Sequence, residues 1–392
     1  MHARCAALRI TLVALTIAVM LAAPSSGWSK LAGKEVTLGM LIPLTGPLGP
    51  EAIRLRIGAN LAVQEINASG GIGGLPIRII EYDTRNNPGD GIRLIKKLAQ
   101  EDKVLEVIGP LTSTECEIVF PIANQLKIVA TSPSAAAPGI GARNRPWAFR
   151  TALSSEKLNR PLVKRWVAKH GLKTAVIITD SKDRFSFSYG TQAMPPLLEE
   201  AGVKILDRPM FVQGDVDFSA HVTKIKTQKP DALVVAALYT EGSNIVREVR
   251  RQQVPVQIIG GIPLGSAQFI TLGGEAVENA YVVSSFWDGN PTPFIKQFID
   301  KFIAAHPQQQ PPNDTSANAY DTVYITKKII EAGGVTNKPE DLASDREKIR
   351  RGWESLKDYP GVGGTMTLNK DGDAEKEGYL LQVRGGKFNL VD

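Results

Sequence analysis

The stretch VIGPLTSTE, Val107 to Glu115, joins a buried strand to a helix through a turn rich in hydroxyl side chains. The apolar run ends at a Gly-Pro pair, and Thr112, Ser113 and Thr114 precede an amphipathic segment. A Ser or Thr at this point is an ordinary helix N-cap, because its oxygen accepts a hydrogen bond from a free amide of the first turn. At the carboxyl edge of a parallel sheet, the same hydroxyls and amides also suit an anionic ligand. The stretch therefore indicates an α/β fold and leaves both roles open.

Strand-like and helix-like segments alternate from residue 35 onwards. Helical patterns of ten or more residues separate apolar segments that are typical of buried strands: EVTLGMLI (35–42), PIRIIEYD (76–83), KVLEVIG (103–109) and KIVATS (127–132). Strands joined in this way form a parallel, doubly wound sheet. After residue 152 the alternation restarts, with strands expected at 174–180, 203–207, 231–238, 256–261 and 280–285. We therefore predict two α/β lobes, between which the chain crosses several times.

The composition excludes several classes of protein. The chain has 392 residues, of which 43% are hydrophobic and 22% charged, as in a globular protein of two domains. Arg4 and Arg9 account for two units of the formal net charge of +6, and no basic run with interleaved aromatic residues occurs. We therefore expect no nucleic-acid partner.

The first residues have the pattern of a secretory signal peptide. A basic start precedes the apolar run 10–23, and the small residues of APSSGWS follow it. The apolar run is short for a membrane span of about 20 residues. We expect residues 1–29 to be a signal peptide that is cleaved between residues 23 and 29, which places the mature protein in the periplasm. Cys116 would then be the one remaining cysteine, so an internal disulfide is excluded.

No catalytic or metal-binding pattern stands out. The four histidines are scattered, and Cys116 has no histidine near it in the sequence. The patterns HExxH, GxSxG, CxxC and GxxxxGK[ST] do not occur. The DGD of residues 371–373 lacks the glutamate that ends an EF-hand loop, so we interpret it as a turn between two strands. We expect neither enzymatic activity nor a metal ion or other cofactor.

Polar side chains follow strands of the first predicted lobe, and aromatic side chains follow strands of the second. The polar set is Thr112, Ser113, Thr131, Ser132 and Ser134, and the aromatic set is Phe185, Phe187, Tyr189 and Tyr239. Because ligands of open α/β sheets bind beyond the carboxyl ends of the strands, the two sets predict the walls of one cleft. Such a cleft suits a small ligand that carries a carboxylate.

Seven segments resemble, in order and spacing, the leucine/isoleucine/valine-binding family of periplasmic solute-binding proteins, which serve ABC importers. They are GMLIPLTGPLG, GANLAVQEINASGGIGGLPIRIIEYDTRNNP, VIGPLTST, ATSPSAA, FRTA, DFSAHVTKIKTQKPDAL and AYDTV. The resemblance implies the type I periplasmic-binding-protein fold, an α/β fold of two Rossmann-like lobes with three crossovers and a ligand cleft between them. Lobe 1 would comprise residues 34–151 and 286–358, and lobe 2 residues 152–285 and 359–392.

The resemblance also assigns ligand contacts in the first lobe. The hydroxyl contact after the third strand falls on Ser113, next to Thr112. The loop that binds a carboxylate falls on Ser134, Ala135 and Ala136, the last of which is usually a threonine in the family. The two family cysteines that pair in this lobe fall on Asn86 and Thr112, so the family disulfide is absent.

In the second lobe, the resemblance places the aromatic residue that closes over the ligand near Phe185, with Tyr189 as the alternative. The tyrosine contact of the next loop falls on Leu238, one place before Tyr239. The glutamate that neutralises the ammonium group of the ligand falls on Ile262.

An isoleucine at position 262 cannot neutralise the ammonium group of an amino-acid ligand. An ammonium group taken out of water without a counter-charge costs several kcal/mol. That cost is comparable with the whole binding free energy of a micromolar ligand, about 8 kcal/mol. Unless another acid serves, for example Glu241 or Asp180, a carboxylate without the amine would be the better ligand. An amino acid and an amine-free organic acid remain equal alternatives.

The sequence thus predicts the periplasmic solute-binding component of a branched-chain amino acid-type ABC importer. Such a protein is a monomer that closes around its ligand by hinge motion and docks on the permease subunits, its only contact with the membrane. The alternative is a ligand-sensing receptor component built on the same fold. Against it, the sequence contains no helix-turn-helix motif before the first lobe and no membrane span or signalling domain after Asp392.

Overall fold

The computed structural model describes residues 31–290, 292–308 and 311–391, so the predicted signal peptide lies outside the described residues. The strands are β1 (Val36–Ile42), β2 (Ile77–Asp83), β3 (Glu106–Ile108), β4 (Val129–Ser132), β5 (Ala148–Leu153), β6 (Thr174–Asp180), β7 (Lys204–Asp207), β8 (Met210–Phe211), β9 (Ala232–Ala236), β10 (Gln257–Gly260), β11 (Tyr281–Ser284), β12 (Tyr359–Gly361), β13 (Gly364–Leu368), β14 (Asp373–Glu375), β15 (Tyr379–Arg384) and β16 (Lys387–Leu390). The helices are α1 (Gly49–Ala68), α2 (Pro88–Lys96), α3 (Ser113–Leu126), α4 (Ile140–Arg143), α5 (Ser155–His170), α6 (Arg184–Ser188), α7 (Met194–Glu200), α8 (Ser219–Gln228), α9 (Tyr239–Arg251), α10 (Ala267–Gly273), α11 (Pro293–Ala305), α12 (Asp314–Ala332) and α13 (Leu342–Glu354).

The first lobe is built on a sheet in the order β12-β13-β14-β5-β4-β3-β1-β2. The strands from β14 to β2 pair in parallel, whereas β12, β13 and β14 pair antiparallel through short turns. Helices α1 and α12 pack side by side in this lobe, so closely that a Cβ atom at Gly58 would lie 2.2 Å from the Ser316 carbonyl oxygen. Glycine at position 58 therefore permits the contact that brings the start of α12 beside α1.

The second lobe is built on a sheet in the order β16-β15-β11-β10-β9-β6-β7, with β8 paired to β6. The strands from β11 to β7 pair in parallel, as the alternating pattern predicted, and β15 and β16 add an antiparallel hairpin beside β11. Helices α5, α7 and α9 pack against this sheet. Among the described residues, none of the helices combines the length and the apolar character that crossing a membrane requires.

The chain passes between the two sheets three times: after β5, after β11 and after β14. The boundary predicted at residue 359 is wrong for residues 359–375, because β12, β13 and β14 belong to the sheet of the first lobe. Only the hairpin of β15 and β16 returns to the second sheet. The strands β12, β13 and β14 are short and contain few apolar residues, so the sequence did not indicate that they join the first sheet. Their position depends on a contact with a partner residue far away in the sequence.

That partner is Arg150 on β5, which is fully buried and pairs with Asp373 at the start of β14. The Arg150 Nε atom donates to Asp373 Oδ1 over 2.7 Å, and Nη2 lies 2.7 Å from Oδ2. The backbone amide of Arg150 also donates to the Gly372 carbonyl over 2.9 Å. Charge and backbone contacts together hold the last strand of the first sheet against β5.

We expect the substitution Asp373→Ala to lower the free energy of unfolding by about 3–5 kcal/mol, because it leaves a buried guanidinium without its counter-charge. Chemical denaturation of the chain from residue 30 onwards measures the change. Asp371→Ala is the matched control in the same turn, since the Asp371 carboxylate forms no ion pair among the described residues. A loss below about 1 kcal/mol for Asp373→Ala would contradict the role assigned to the pair.

Candidate ligand-binding site

A cavity of about 70 Å³ lies between the lobes, where the carboxyl ends of both sets of parallel strands meet. Nine of the ten residues assigned as ligand contacts line it, namely Thr112, Ser113, Ser134, Ala135, Ala136, Phe185, Leu238, Tyr239 and Ile262. Thr131, Ser132 and Phe187, which were also predicted to border the cleft, do not line it. The remaining lining residues were not predicted: Leu48, Glu51, Leu111, Asp183, Pro263, Ser266, Asn313, Asp314 and Thr315. The structure thus brings the predicted residues together and adds acidic side chains to them.

The capping role at the start of α3 belongs to Thr112, not to Ser113. Thr112 Oγ1 accepts from the Glu115 amide over 3.1 Å, and the Glu115 carboxylate accepts in return from the Thr112 amide, which forms a capping box. Thr112 Oγ1 also lies 3.3 Å from Asn86 Oδ1, so the two positions onto which the paired cysteines of the family fall are in contact. Ser113 is consequently not needed as the cap.

Ser113 instead contacts the loop after β4. Its Oγ atom accepts from the Ala137 amide over 3.2 Å, and the side chain is only 2% exposed. Arg150 Nη1 donates to the carbonyl oxygens of Ala135 and Ala137, over 3.1 and 2.7 Å. The loop that carries Ser134, Ala135 and Ala136 is therefore held by the same guanidinium that pairs with β14.

Helix α12 supports this loop from the other side. The Asn318 side-chain amide donates to the Pro133 carbonyl over 2.8 Å, and Thr315 Oγ1 donates to Ser134 Oγ over 3.4 Å. Asn313 caps the helix, since its Oδ1 accepts from the Ser316 amide over 3.2 Å. Asn followed three residues later by Ser is an N-cap pattern, so the sequence carries a local signal for this helix start.

Aromatic and apolar side chains form the wall contributed by the second lobe. The Phe185 and Tyr189 rings stack with centroids 5.6 Å apart and an interplanar angle of 13°. Tyr189 lies behind Phe185 and does not line the cavity, so its prediction as the alternative contact is wrong. Tyr189 follows Phe185 by four positions in a helical segment, so both rings lie on the same face of that segment. Ile262 lines the cavity at the start of a short 3₁₀ segment.

Three carboxylates line the cavity: Glu51, Asp183 and Asp314. Burial and the neighbouring Glu51 raise the pKa of Asp314 to about 7, while the positive charge of Lys376 acts in the opposite direction. Burial also raises the pKa of Asp183, whose Oδ1 accepts from the amide and the hydroxyl of Ser186, each over 2.8 Å. The cavity is thus acidic, with one of its carboxyl groups poised to change charge near neutral pH.

The acids suggested from the sequence as substitutes for the family glutamate serve another purpose. Asp180 Oδ1 accepts from the amides of Lys182, Asp183 and Gln213, and Glu241 Oε1 accepts from the Gly214 amide over 3.0 Å. Both side chains hold loops of the second lobe, and neither lines the cavity. Among the described residues, His, Cys, Asp and Glu side chains form no cluster that would hold a metal ion.

Direct contacts join the lobes around the cavity. Thr114 Oγ1 accepts from the Arg184 amide over 3.0 Å and donates to Asp183 Oδ2 over 3.3 Å. Arg184 Nε donates to Glu117 Oε1 over 3.1 Å. On the other side of the cavity, the Tyr239 hydroxyl donates to the Pro47 carbonyl. The two lobes are therefore in direct contact around the cavity, which is a closed arrangement.

Comparisons with known proteins agree with this architecture. A family model described as "Periplasmic binding protein" matches residues 35–387. The Leu/Ile/Val-binding protein BraC3 of Rhizobium johnstonii is 26% identical to this chain over 91% of the chain and 94% of BraC3.

Two solved structures show the same fold. The branched-chain amino acid transporter substrate-binding protein LivJ of Streptococcus pneumoniae, in complex with isoleucine, gives a TM-score of 0.81 at 26% identity, over 91% of this chain and 98% of LivJ. An ABC transporter solute-binding protein from R. palustris, in complex with benzoate, gives a TM-score of 0.79 at 20% identity, over 91% of this chain and 95% of the other. The predicted type I fold, with its two lobes and three crossovers, is confirmed.

We expect Thr114→Val to loosen the closed arrangement, because an isosteric methyl group can neither accept from Arg184 nor donate to Asp183. Loss of about 1 kcal/mol of hydrogen bonding corresponds to roughly fivefold faster amide exchange. Hydrogen–deuterium exchange should detect this faster amide exchange in the segment around Arg184. The exchange rate should also rise in the segment 45–49, which Thr114 does not contact, because the lobes separate as units.

The control is Thr227→Val, an exposed position on α8 remote from the cavity. It should leave exchange unchanged in both segments. Unaltered exchange in the 45–49 segment of Thr114→Val would contradict the assignment of Thr114 as a contact that holds the lobes closed.

Proposed function

The chain belongs to the periplasmic binding protein family, in the branched-chain amino acid group that its sequence resembled, and on that premise we propose that it binds a small apolar α-amino acid between its lobes. The closed, liganded form would then dock on the permease subunits of an ABC importer in the periplasm. The family is one of solute-binding proteins, which supports binding rather than catalysis as the activity.

The negative charge of the cavity is the main support for an amino-acid ligand. Glu51, Asp183 and Asp314 line it, and no Lys or Arg does so among the described residues. A ligand with an ammonium group would gain a counter-charge there, whereas a ligand that is only an anion would meet carboxylates of its own sign. Asp314 and Glu51 both belong to the first lobe, so they replace, from the opposite wall, the charge that the resemblance placed at Ile262.

The remaining lining residues suit the other parts of such a ligand. The hydroxyls of Ser113 and Ser134, next to the amides at the start of α3, would receive the carboxylate. Phe185, Leu238 and Ile262 would contact an apolar side chain.

An amine-free carboxylate is the second candidate, and Ile262 and Asp314 favour it. The resemblance places Ile262 at the position of the family's ammonium-binding glutamate, and at a pKa of about 7 the Asp314 carboxyl group is protonated in part of the molecules. A protonated carboxyl group donates a hydrogen bond to a carboxylate instead of repelling it. The benzoate complex of the R. palustris relative is in keeping with such a ligand class.

A matched set of solutes tests the proposal: leucine, 4-methylpentanoate, which is leucine without its amine, and 3-methylbutylamine, which is leucine without its carboxylate. We expect a thermal shift of a few degrees with leucine alone, since ligand at 100 times its dissociation constant stabilises by about 2.7 kcal/mol. A shift with 4-methylpentanoate and none with leucine would reject the amino-acid proposal in favour of the second candidate.

The pH dependence of affinity provides an independent prediction. Only ionised Asp314 attracts an ammonium group, so protonation should weaken leucine binding as the pH falls through about 7. About tenfold weaker binding is expected at pH 6 than at pH 8, because at pH 6 roughly one molecule in eleven carries the ionised form. Affinity for 4-methylpentanoate should change in the opposite direction. Calorimetric titration at both pH values measures the two trends.

Asp314→Asn should weaken leucine binding and remove its pH dependence, whereas Asp300→Asn, an exposed position on α11, should leave both unchanged. Glu51 and Lys376 are the charged groups that shift the Asp314 pKa, so neither is altered in this experiment. Leucine affinity that is flat between pH 6 and pH 8 in the parent chain would rule out Asp314 as the counter-charge.

A further inference from the structure

A second cavity, of about 440 Å³, lies beside the first, and we call it the rear pocket. It is enclosed by α1, the 3₁₀ segment and α10 of the second lobe, the crossover after β11 and the β15–β16 hairpin. Its lining includes Arg54, Phe286, Trp287, Lys387 and Phe388. Asn313 lines both cavities, so the two are neighbours, but the rear pocket has the volume of an ordinary small-molecule site in its own right.

Arg54 is the unusual residue of this pocket. It is 1% exposed, and none of its three guanidinium nitrogens has a hydrogen-bond partner among the described residues. Burial of an unpaired charge is unfavourable, and burial accordingly lowers the pKa of Arg54. Buried guanidinium groups are normally paired, so this one calls for an anion.

Glu51 precedes Arg54 by one turn of α1, and its charge raises the pKa of Arg54 against the effect of burial, but it makes no direct contact with the guanidinium group. The two side chains form no ion pair within 4.0 Å, and Glu51 Oε1 accepts instead from the Asn313 side-chain amide over 2.7 Å. Glu51 lines the first cavity and Arg54 lines the rear pocket. The two opposite charges of α1 therefore border different cavities, and the guanidinium nitrogens of Arg54 remain without a direct partner among the described residues.

We propose that the rear pocket is a second binding site, which takes a small carboxylate with an apolar body and holds it by paired hydrogen bonds from Arg54. The planar guanidinium group matches a carboxylate in two-fold contact. Phe286, Trp287 and Phe388 offer rings to the apolar body, and Lys387 adds positive charge at the exposed rim, where Asp288 is the one acid of the lining. The site is separate from the amino-acid cavity and does not depend on the function proposed for it.

The test uses phenylacetate as the probe, its neutral amide phenylacetamide as the matched control, and inorganic phosphate as an anion without an apolar body. Calorimetric titration of the chain from residue 30 onwards should show binding of phenylacetate and none of phenylacetamide. Arg54→Gln should weaken phenylacetate binding about tenfold or more, because the charge-assisted pair is lost. Phosphate binding as tight as that of phenylacetate would overturn the assignment of the carboxylate class.

Two blocking variants locate the probe even if Arg54→Gln does not fold. Ile270→Trp would fill the rear pocket, and Ala136→Leu would fill the first cavity. Phenylacetate binding should be lost in the first variant and retained in the second. The opposite result, or one-for-one competition between leucine and phenylacetate in the parent chain, would place the probe in the first cavity and reject the rear site while leaving the proposed function untouched.

Discussion

Arg150 and Asp373 lie 223 residues apart in the chain, and their buried contact is the constraint on which the ligand site depends. One guanidinium group pairs with β14, which closes the edge of the first sheet, and also donates to two carbonyls of the loop at residues 135–137. The position of that loop is therefore coupled to the last crossover between the lobes. Because a buried charge that loses its partner is costly, the loop cannot move freely without disturbing the sheet.

The location of the cavity follows from the parallel strands. In both lobes the helices follow strands at the same edge of the sheet, so the turns after β3, β4, β6, β9 and β10 face one another across a single gap. At the start of α3, Thr112 and Glu115 satisfy each other, which leaves Ser113 to contact the neighbouring loop. Thr112 therefore caps the helix, and the adjacent Ser113 lines the cavity. From the sequence alone, the two roles could not be assigned to particular hydroxyl residues.

The sequence predicted features that short-range patterns determine. The parallel strands and the polar or aromatic residues after them follow from apolar alternation and turn composition. Nine of the ten residues assigned as ligand contacts, several of them through the family resemblance, meet at one cavity. The contributions of α12 and of β12–β14 depend on contacts between distant segments. Asp314 lies far along the chain from Ser134, and nothing local to it indicates that the two would line one wall. Tyr189 was misplaced because a helical register decides whether a ring faces the cavity or the core.

The distribution of charge bears on how closure would select a ligand. In the proposed mode, Asp314, Glu51, Ser113 and Ser134 hold both charged ends of the amino acid, and all four belong to the first lobe. The second lobe then adds mainly apolar contact from Phe185, Leu238 and Ile262, since the Asp183 oxygens already accept from Ser186 and Thr114. A ligand shifts the hinge equilibrium only by its differential contacts with the closed form. In the proposed mode those contacts are apolar, and burial of apolar surface stabilises by about 25 cal/mol per Å². The size of the ligand side chain, rather than its charge, would therefore decide which amino acids close the lobes.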